Sequence, residues 1–192
     1  LDNLAPMLAE KMQILSGTVA TAELLKETLE QSERMARQSA QLEKQTVETW
    51  RRALEVNLTA IFDICQALTP LLKMSEGASI INIASIYGHY GPDWSLYEGT
   101  SMSNPAAYGA SKGGLIQFTR WLATTISPEV RVNVISPGGI FRNQPELFVS
   151  RYEAKTPLGR MATEDDFRGV VAYLASDLSR YVTGQNLSVD GG

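Results

Sequence analysis

Tyr108 and Lys112 are the two residues of this sequence whose types and spacing most directly suggest chemistry. They stand four residues apart in the run Tyr-Gly-Ala-Ser-Lys, so on a helix they share one face. A phenol is a weak acid with a reference pKa of about 10, and a neighbouring ammonium group favours its phenolate form. Such a pair can exchange a proton with an alcohol or a carbonyl group. The spacing is common on helices, so its meaning depends on the surrounding elements.

Two short polar segments follow apolar runs of strand length. The run 79–84 is predicted to be a buried strand with Ser85 at its carboxyl end, and the run 130–135 a second strand followed by Ser-Pro-Gly-Gly at 136–139. Taken singly, a serine after one strand and a Pro-Gly turn after another are also ordinary ways for a strand to end. Ligands of open α/β sheets bind at the carboxyl ends of the strands. We therefore expect the Ser85 hydroxyl, a donor to a substrate oxygen, and the Pro-Gly turn to reach one sheet edge.

The chain from about residue 46 onward has the texture of an α/β domain. Helical and β-branched apolar segments alternate with Gly, Pro and Ser, which is typical of units that build a parallel sheet. Helices are predicted over 47–73, 106–125 and 163–175, the first with a kink at Pro70. A third strand is predicted over 186–189.

The segment before this domain has a different composition. Residues 18–48 contain neither Gly nor Pro and are rich in strong helix formers, so they predict one helix. Its apolar stripe is too thin for a coiled coil, which favours a half-solvated helix or a linker. The segment also resembles the helical connectors that follow sensory domains in bacterial signalling kinases.

Composition and charge exclude several classes of function. The 17 basic and 21 acidic residues give a net charge of −4, which opposes binding of nucleic acid through phosphate neutralisation. With one cysteine, Cys65, and one histidine, His89, we expect no disulfide, no metal site and a cytoplasmic location. No run of 18 apolar residues occurs, so we expect no membrane span. Because the chain lacks an initial Met and ends at Asp-Gly-Gly, we expect a fragment of a longer protein.

The ordered motifs resemble those of the short-chain dehydrogenase/reductase family. The resemblance runs from about residue 50 to 192, and its motifs are Asn57 in Leu-Glu-Val-Asn-Leu, Ser85, Tyr108, Lys112, the turn 136–140 and the stretch 157–192. It implies an α/β, Rossmann-like, doubly wound parallel sheet that is truncated here to its last three strands. Residues 1–49 would then be an added, linker-like helical segment of other origin, and residues 50–192 the catalytic half.

The resemblance also implies a role for each matched residue. Tyr108 would donate or accept the proton, while Lys112 would favour its phenolate and bind the nicotinamide ribose. Ser85 would hold the substrate oxygen, and Asn57 would head a proton relay through a water to Lys112. The implied contacts of NAD or NADP are Tyr108, Lys112, Pro137, Gly138 and Ile140. The implied contacts of the substrate are Ser85, Tyr87 and Tyr108.

Two segments, 97–108 and 135–148, resemble the branch of the family found in bacterial surface-sugar and nonulosonic acid biosynthesis. This implies a small, sugar-like substrate. The loop between Ser85 and Tyr108 is longer than usual in the family, and its aromatic residues either close over a sugar or only anchor the loop; they are Tyr87, His89, Tyr90, Trp94 and Tyr97. The family also implies a homo-oligomer, dimer or tetramer, formed through the helices that carry Asn57 and Tyr108.

The glycine-rich turn that binds the cofactor pyrophosphate in the family has no counterpart in this sequence. The strand predicted over 79–84 would therefore lie at an open sheet edge, covered by the 18–48 helix or by a second copy. The sequence is compatible with two alternative functions. One is an NAD(P)-dependent oxidoreductase acting on a hydroxyl or carbonyl group. The other is a catalytically inactive helical interaction or signalling fragment that carries a degenerate dehydrogenase domain.

Overall fold

The computed structural model describes residues 42–192, and residues 45–192 form one unit. Most of the helix predicted over 18–48 lies outside the described residues. Its predicted end is wrong, because residues 45 and 46 are not helical. Thr46 instead caps a new helix, α1 (Val47–Leu54), and its Oγ1 accepts a hydrogen bond from the Thr49 amide at 3.1 Å. The domain boundary predicted between residues 49 and 50 stays a prediction.

A parallel sheet of three strands lies at the centre of this unit. Its order is β1 (Ser79–Ile83), β2 (Arg131–Pro137) and β3 (Asn186–Val189). β2 extends two residues beyond its predicted end because Ser136 and Pro137 pair with β3, so the turn begins at Gly138. Within the described part of the chain β1 pairs only with β2, which places β1 at the sheet edge as predicted.

One face of the sheet is covered by two helices, α2 (Ala60–Leu72) and α3 (Ala106–Ile126). Even-numbered strand residues point towards these helices because successive side chains of a strand alternate between faces. Asn82 of β1 donates to the hydroxyl of Thr119 on α3 at 2.8 Å, and both side chains are buried. The buried apolar residues on this face are Cys65, Ala84, Leu115, Ile116, Leu122, Ala123, Ile126, Val130, Val132 and Val134.

Two further helices follow β2 in the chain, α4 (Glu146–Lys155) and α5 (Arg168–Ala175). A 3-10 turn over Glu164–Phe167 precedes α5. Helix α5 and the turn that follows it cover the opposite face of the sheet. Odd-numbered strand residues point this way: Ser79 Oγ donates to the Leu174 carbonyl at 2.9 Å. Helices therefore cover both faces of the sheet, which confirms the predicted α/β, doubly wound fold class.

The helix predicted over 47–73 is continuous in path but not uniform. Between α1 and α2 it widens into a π-helical segment over Glu55–Thr59, with Asn57 at its centre. Such single turns insert an extra residue into a helix and often mark functional sites. Pro70 lies inside α2 near its end, where the kink was predicted.

The sequence patterns did not predict helix α4. Only Phe148 and Tyr152, one turn apart, are buried in it, so it shows no broad apolar stripe. These two rings pack against Leu96 and Tyr97 of the loop after β1 and against Met161. α4 is therefore stabilised by residues that are distant in sequence, which local periodicity does not show.

Close backbone packing holds the loop after β1 against α3. A Cβ atom at Gly88 would lie 2.7 Å from Ile116 Cδ1 and 2.9 Å from the backbone carbonyl carbon of Lys112. A Cβ atom at Gly113 would lie 3.0 Å from the Gly88 carbonyl oxygen. Glycine at residue 88 is thus required by close approach of two backbones.

Gly88→Ala tests this packing. We expect the free energy of unfolding to fall by about 1 to 3 kcal/mol, because the added methyl group meets main-chain atoms that cannot move aside cheaply. Gly91→Ala in the same loop is the matched control, since nothing lies within 4 Å of its Cβ position. Urea unfolding measures both variants, and equal stability of the two would contradict the packing.

Candidate active site

Lys112 is held at the carboxyl end of β1. Its Nζ donates to the carbonyl oxygen of Ile83 at 2.9 Å, and partial burial lowers the pKa of the ammonium group. The same nitrogen lies 5.8 Å from the centre of the Tyr108 ring. The structure therefore places the predicted helix pair beside the end of the strand, with two ammonium protons of Lys112 left for other acceptors.

Ser85 lies directly after β1 and is only 6% exposed. Its Oγ accepts a hydrogen bond from the Tyr87 amide at 3.2 Å and donates to none of residues 42–192. A Cβ atom at Gly109 would lie 3.1 Å from the Tyr87 carbonyl oxygen, so the turn 85–88 rests on the turn of α3 that carries Tyr108. The Ser85 proton is thus available beside the helix pair.

Asn57 contacts the same turn of α3 from the π-helical segment. Its Nδ2 donates to Ser111 Oγ at 3.3 Å, and Ser111 Oγ donates to the Tyr108 carbonyl at 2.7 Å. Ser111 is fully buried and was not predicted as a site residue. Its position three residues after Tyr108 was the available signal, since it lies on the inner face of the helix.

The end of β2 and the turn after it contain the other predicted residues, Pro137, Gly138 and Ile140. Pro137 is buried in the last pair of β2 and β3. A Cβ atom at Gly138 would lie 2.8 Å from Asp190 Cα, so only glycine fits there. Ile140 bridges to Ala162, and its own N–H donates to no residue in the described part of the chain. The turn therefore presents an unpaired backbone donor.

The matching family model is described as Enoyl-(Acyl carrier protein) reductase, and it covers residues 31–192. The chain belongs to the short-chain dehydrogenase/reductase family. The match starts within the segment 1–49.

Relatives within the short-chain dehydrogenase/reductase family differ in their named substrates. A 3-oxoacyl-[acyl-carrier-protein] reductase FabG of Thermotoga maritima is 34% identical over 152 residues, which cover 76% of this chain and 57% of the relative. A probable galactose dehydrogenase GalD of Rhizobium meliloti is 35% identical over 158 residues, which cover 79% of this chain and 58% of the relative. The chain thus spans little more than half the length of the curated relatives it matches.

A solved structure supports the Rossmann-like fold. The short-chain dehydrogenase of Leptospira borgpetersenii with bound NAD⁺ is 43% identical and superimposes with a TM-score of 0.73. The match covers 79% of this chain and 58% of that chain. The described three-stranded unit therefore has the fold of dehydrogenases that bind a nicotinamide cofactor.

Three tyrosines contribute to this part of the dehydrogenase fold, and one of them, Tyr152, was not assigned a role from the sequence. The hydroxyl of Tyr152 on α4 accepts a hydrogen bond from the Gly139 amide, and the hydroxyls of Tyr87 and Tyr97 lie 2.7 Å apart. Burial raises the pKa of both Tyr87 and Tyr152. Tyr152 was not predicted as a site residue because helix α4, which carries it, was not predicted.

The long loop after β1 is anchored rather than open. The ring of Tyr97 packs 5.3 Å from that of Phe148, centre to centre, and Trp94 packs on Tyr97 at 5.7 Å. Asp93 pairs with Lys155 of α4, and this hydrogen bond, together with the Ser95 hydroxyl, lowers the pKa of Asp93 to about 2. The rings of Trp94 and Tyr97 therefore anchor the loop.

Residues 42–192 contain neither a cluster of metal ligands nor a helix that could span a membrane. No group of three or more His, Cys, Asp or Glu side chains there could hold a metal ion. No helix in the same range has both the length and the apolar character to span a bilayer.

Proposed function

We propose that the protein is an NAD(P)-dependent oxidoreductase that transfers a hydride between the cofactor and a hydroxyl or carbonyl carbon of a small, sugar-like substrate. One observation carries the proposal. The Lys112 ammonium group is bonded to the Ile83 carbonyl and lies beside the Tyr108 ring, while the buried Ser85 hydroxyl has a proton to donate at the same strand end.

Each residue then has a distinct task. The Tyr108 hydroxyl gives a proton to the substrate oxygen during reduction or takes it during oxidation, and the nearby Lys112 cation favours the phenolate state. The Ser85 hydroxyl donates a hydrogen bond to the same substrate oxygen and stabilises charge that develops there. Asn57, through Ser111, holds the turn of α3 in place, and we retain it as the head of a water-mediated proton relay to Lys112.

The residues after β2 fit the nicotinamide half of NAD or NADP. The unpaired N–H of Ile140 matches the carbonyl oxygen of a carboxamide, and the free ammonium protons of Lys112 match ribose hydroxyls. Pro137 and the Cβ-free Gly138 complete the nicotinamide side. When bound, the nicotinamide ring supplies or accepts the hydride, which no side chain can do.

The substrate class and the cellular setting are part of the proposal. One relative is named a 3-oxoacyl-[acyl-carrier-protein] reductase and the other a probable galactose dehydrogenase. The paired hydroxyls of Tyr87 and Tyr97, in the loop that follows Ser85, favour the sugar. A role in surface-sugar or nonulosonic acid biosynthesis is consistent with this substrate. We place the protein in the cytoplasm, where the buried free thiol of Cys65 is compatible with a reducing compartment.

A second candidate is the catalytically inactive interaction fragment with a degenerate dehydrogenase domain. One observation favours it: β1 has an unpaired edge within residues 42–192, and Ile83 at its end is 47% exposed. An exposed strand edge is a template for pairing with another chain. Cofactor binding separates the two candidates.

Tyr108→Phe tests the catalytic proposal. We expect turnover of NAD(P) with a sugar alcohol or aldose to fall about 100-fold or more, because the variant has no proton to transfer. Titration followed by nicotinamide fluorescence should still show cofactor binding. Tyr173→Phe, on the exposed side of α5, is the control and should keep full turnover. Absence of binding at millimolar cofactor would support the inactive fragment. Turnover of Tyr108→Phe equal to that of the unaltered chain would instead contradict the role of Tyr108 in proton transfer.

We also propose a homo-oligomer, dimer or tetramer, formed through α2 and α3. Phe62 and Trp121 on these helices are 42% and 57% exposed. The Trp121 ring stacks on Phe118, and the Phe62 ring packs against Phe118 at a tilt. Exposed aromatic rings on adjoining helices are typical of an interface.

Trp121→Glu should disrupt this interface, because it buries an unpaired carboxylate between copies. Light scattering after size exclusion should then report a smaller species than for the unaltered chain. Tyr181→Glu is the control, since Tyr181 is fully exposed elsewhere on the surface. An unchanged mass for Trp121→Glu would contradict this assignment of the interface.

A further inference from the structure

Three tyrosine hydroxyls meet between the loop after β1 and the turn after β2. We call Tyr87, Tyr97 and Tyr152 the phenol cluster. The hydroxyls of Tyr87 and Tyr97 lie 2.7 Å apart, and Tyr152 interacts electrostatically with both. Tyr97 and Tyr152 are each only 8% exposed. The phenol cluster therefore places two buried hydroxyls and the half-buried Tyr87 hydroxyl beside an aromatic core.

Not every hydroxyl proton of the phenol cluster has an acceptor in the described part of the chain. Each hydroxyl has one proton to donate. One proton is shared within the Tyr87–Tyr97 pair, and Asn104 Nδ2 donates to Tyr97 rather than accepting. The Tyr152 oxygen accepts from the Gly139 amide, and its proton reaches no acceptor in the described part of the chain. The proton of Tyr152 and one proton of the Tyr87–Tyr97 pair thus have no acceptor among residues 42–192, and an unsatisfied buried donor such as Tyr152 costs about 1 to 3 kcal/mol.

The phenol cluster lies between the two parts of the candidate site. Tyr87 follows Ser85 by two residues, so it lies in the same turn as the proposed contact of the substrate oxygen. Tyr152 binds Gly139, the residue next to Gly138 on the cofactor side, and a Cβ atom at Gly139 would lie 2.6 Å from Tyr152 Cζ. The ring of Tyr152 thus fills the space that a side chain at residue 139 would take.

The charges around the phenol cluster indicate whether its ligand group is charged or neutral. Because burial raises the pKa of Tyr87 and Tyr152, both remain neutral donors at physiological pH. The charged group that acts on Tyr152 is the carboxylate of Asp190. Asp190 packs against the turn after β2, since a Cβ atom at Gly138 would lie 2.8 Å from its Cα. A carboxylate or phosphate on the ligand would be repelled there, whereas an uncharged oxygen would not.

We propose that the phenol cluster is a recognition subsite for an uncharged hydroxyl or ether oxygen of a sugar, at a position away from the carbon that reacts. Tyr152 and the Tyr87–Tyr97 pair are then specificity-determining donors, and they take no part in proton transfer. This inference rests on the proposed function and names the substrate group that the same site selects. A site built to donate hydrogen bonds discriminates strongly against ligands that lack the acceptor.

A ligand titration without cofactor tests the subsite. The full chain is labelled with carbon-13 in its tyrosine rings and titrated with D-galactose, with D-galacturonate, which carries a carboxylate instead of one CH₂OH group, and with cyclohexanol. We expect D-galactose to shift the ring signals of Tyr97 and Tyr152 and to bind more tightly than the other two probes. Tyr152→Phe should weaken galactose binding about three- to tenfold, the value of one uncharged hydrogen bond.

The control variant is Tyr181→Phe, which should bind as the unaltered chain does. If Tyr152→Phe does not fold, Tyr97→Phe and the ring signals of the unaltered chain give the same answer. The proposal is overturned by no shift of these signals with galactose, by equal binding of cyclohexanol or galacturonate, or by unchanged affinity of the folded variants. Galactose binding without hydride transfer would defeat the proposed function and leave the subsite standing, while turnover without these shifts would do the reverse.

Discussion

The hydrogen bond from the Lys112 ammonium group to the Ile83 carbonyl is the interaction on which the candidate site depends. It joins α3 to the end of β1 and holds a cation in a partly buried position, where burial opposes its charge. A cation in that position acts on its neighbours more strongly than it would in water. The glycines at residues 88 and 113 allow the two segments to approach closely enough for this contact, so backbone packing and site electrostatics are one constraint.

The rest of the fold supplies the geometry around this contact. Parallel pairing brings the ends of β1 and β2 to the same edge, so Ser85 and the turn after Pro137 emerge side by side. Helix α4 and the long loop then close the far side through aromatic packing, and their tyrosines add buried donors. In the function that we propose, proton transfer and substrate recognition therefore lie on different elements, so substrate preference can vary while the helix pair and the strand ends stay the same.

The sequence predicted what short-range patterns encode. Tyr108, Lys112 and Ser85 were predicted as site residues from helical spacing and a strand end, which are local features, whereas Asn57 was predicted only from the family resemblance. The three strands were located to within two residues. The roles of Ser111 and Tyr152 could not be predicted in the same way. Ser111 acts through a partner 54 residues away, and Tyr152 lies on a helix whose stability comes from Leu96 and Tyr97 of a distant loop.

The central claim is that the Lys112 cation sets the proton transfer made beside it. Its most direct test is the pH dependence of hydride transfer in the unaltered chain and in Lys112→Met, measured as kcat from pH 5 to 10 with NAD(P). Without the cation the phenolate is disfavoured, so the rising limb for alcohol oxidation should move to higher pH in Lys112→Met. The same limb at the same pH in both proteins would contradict the claim.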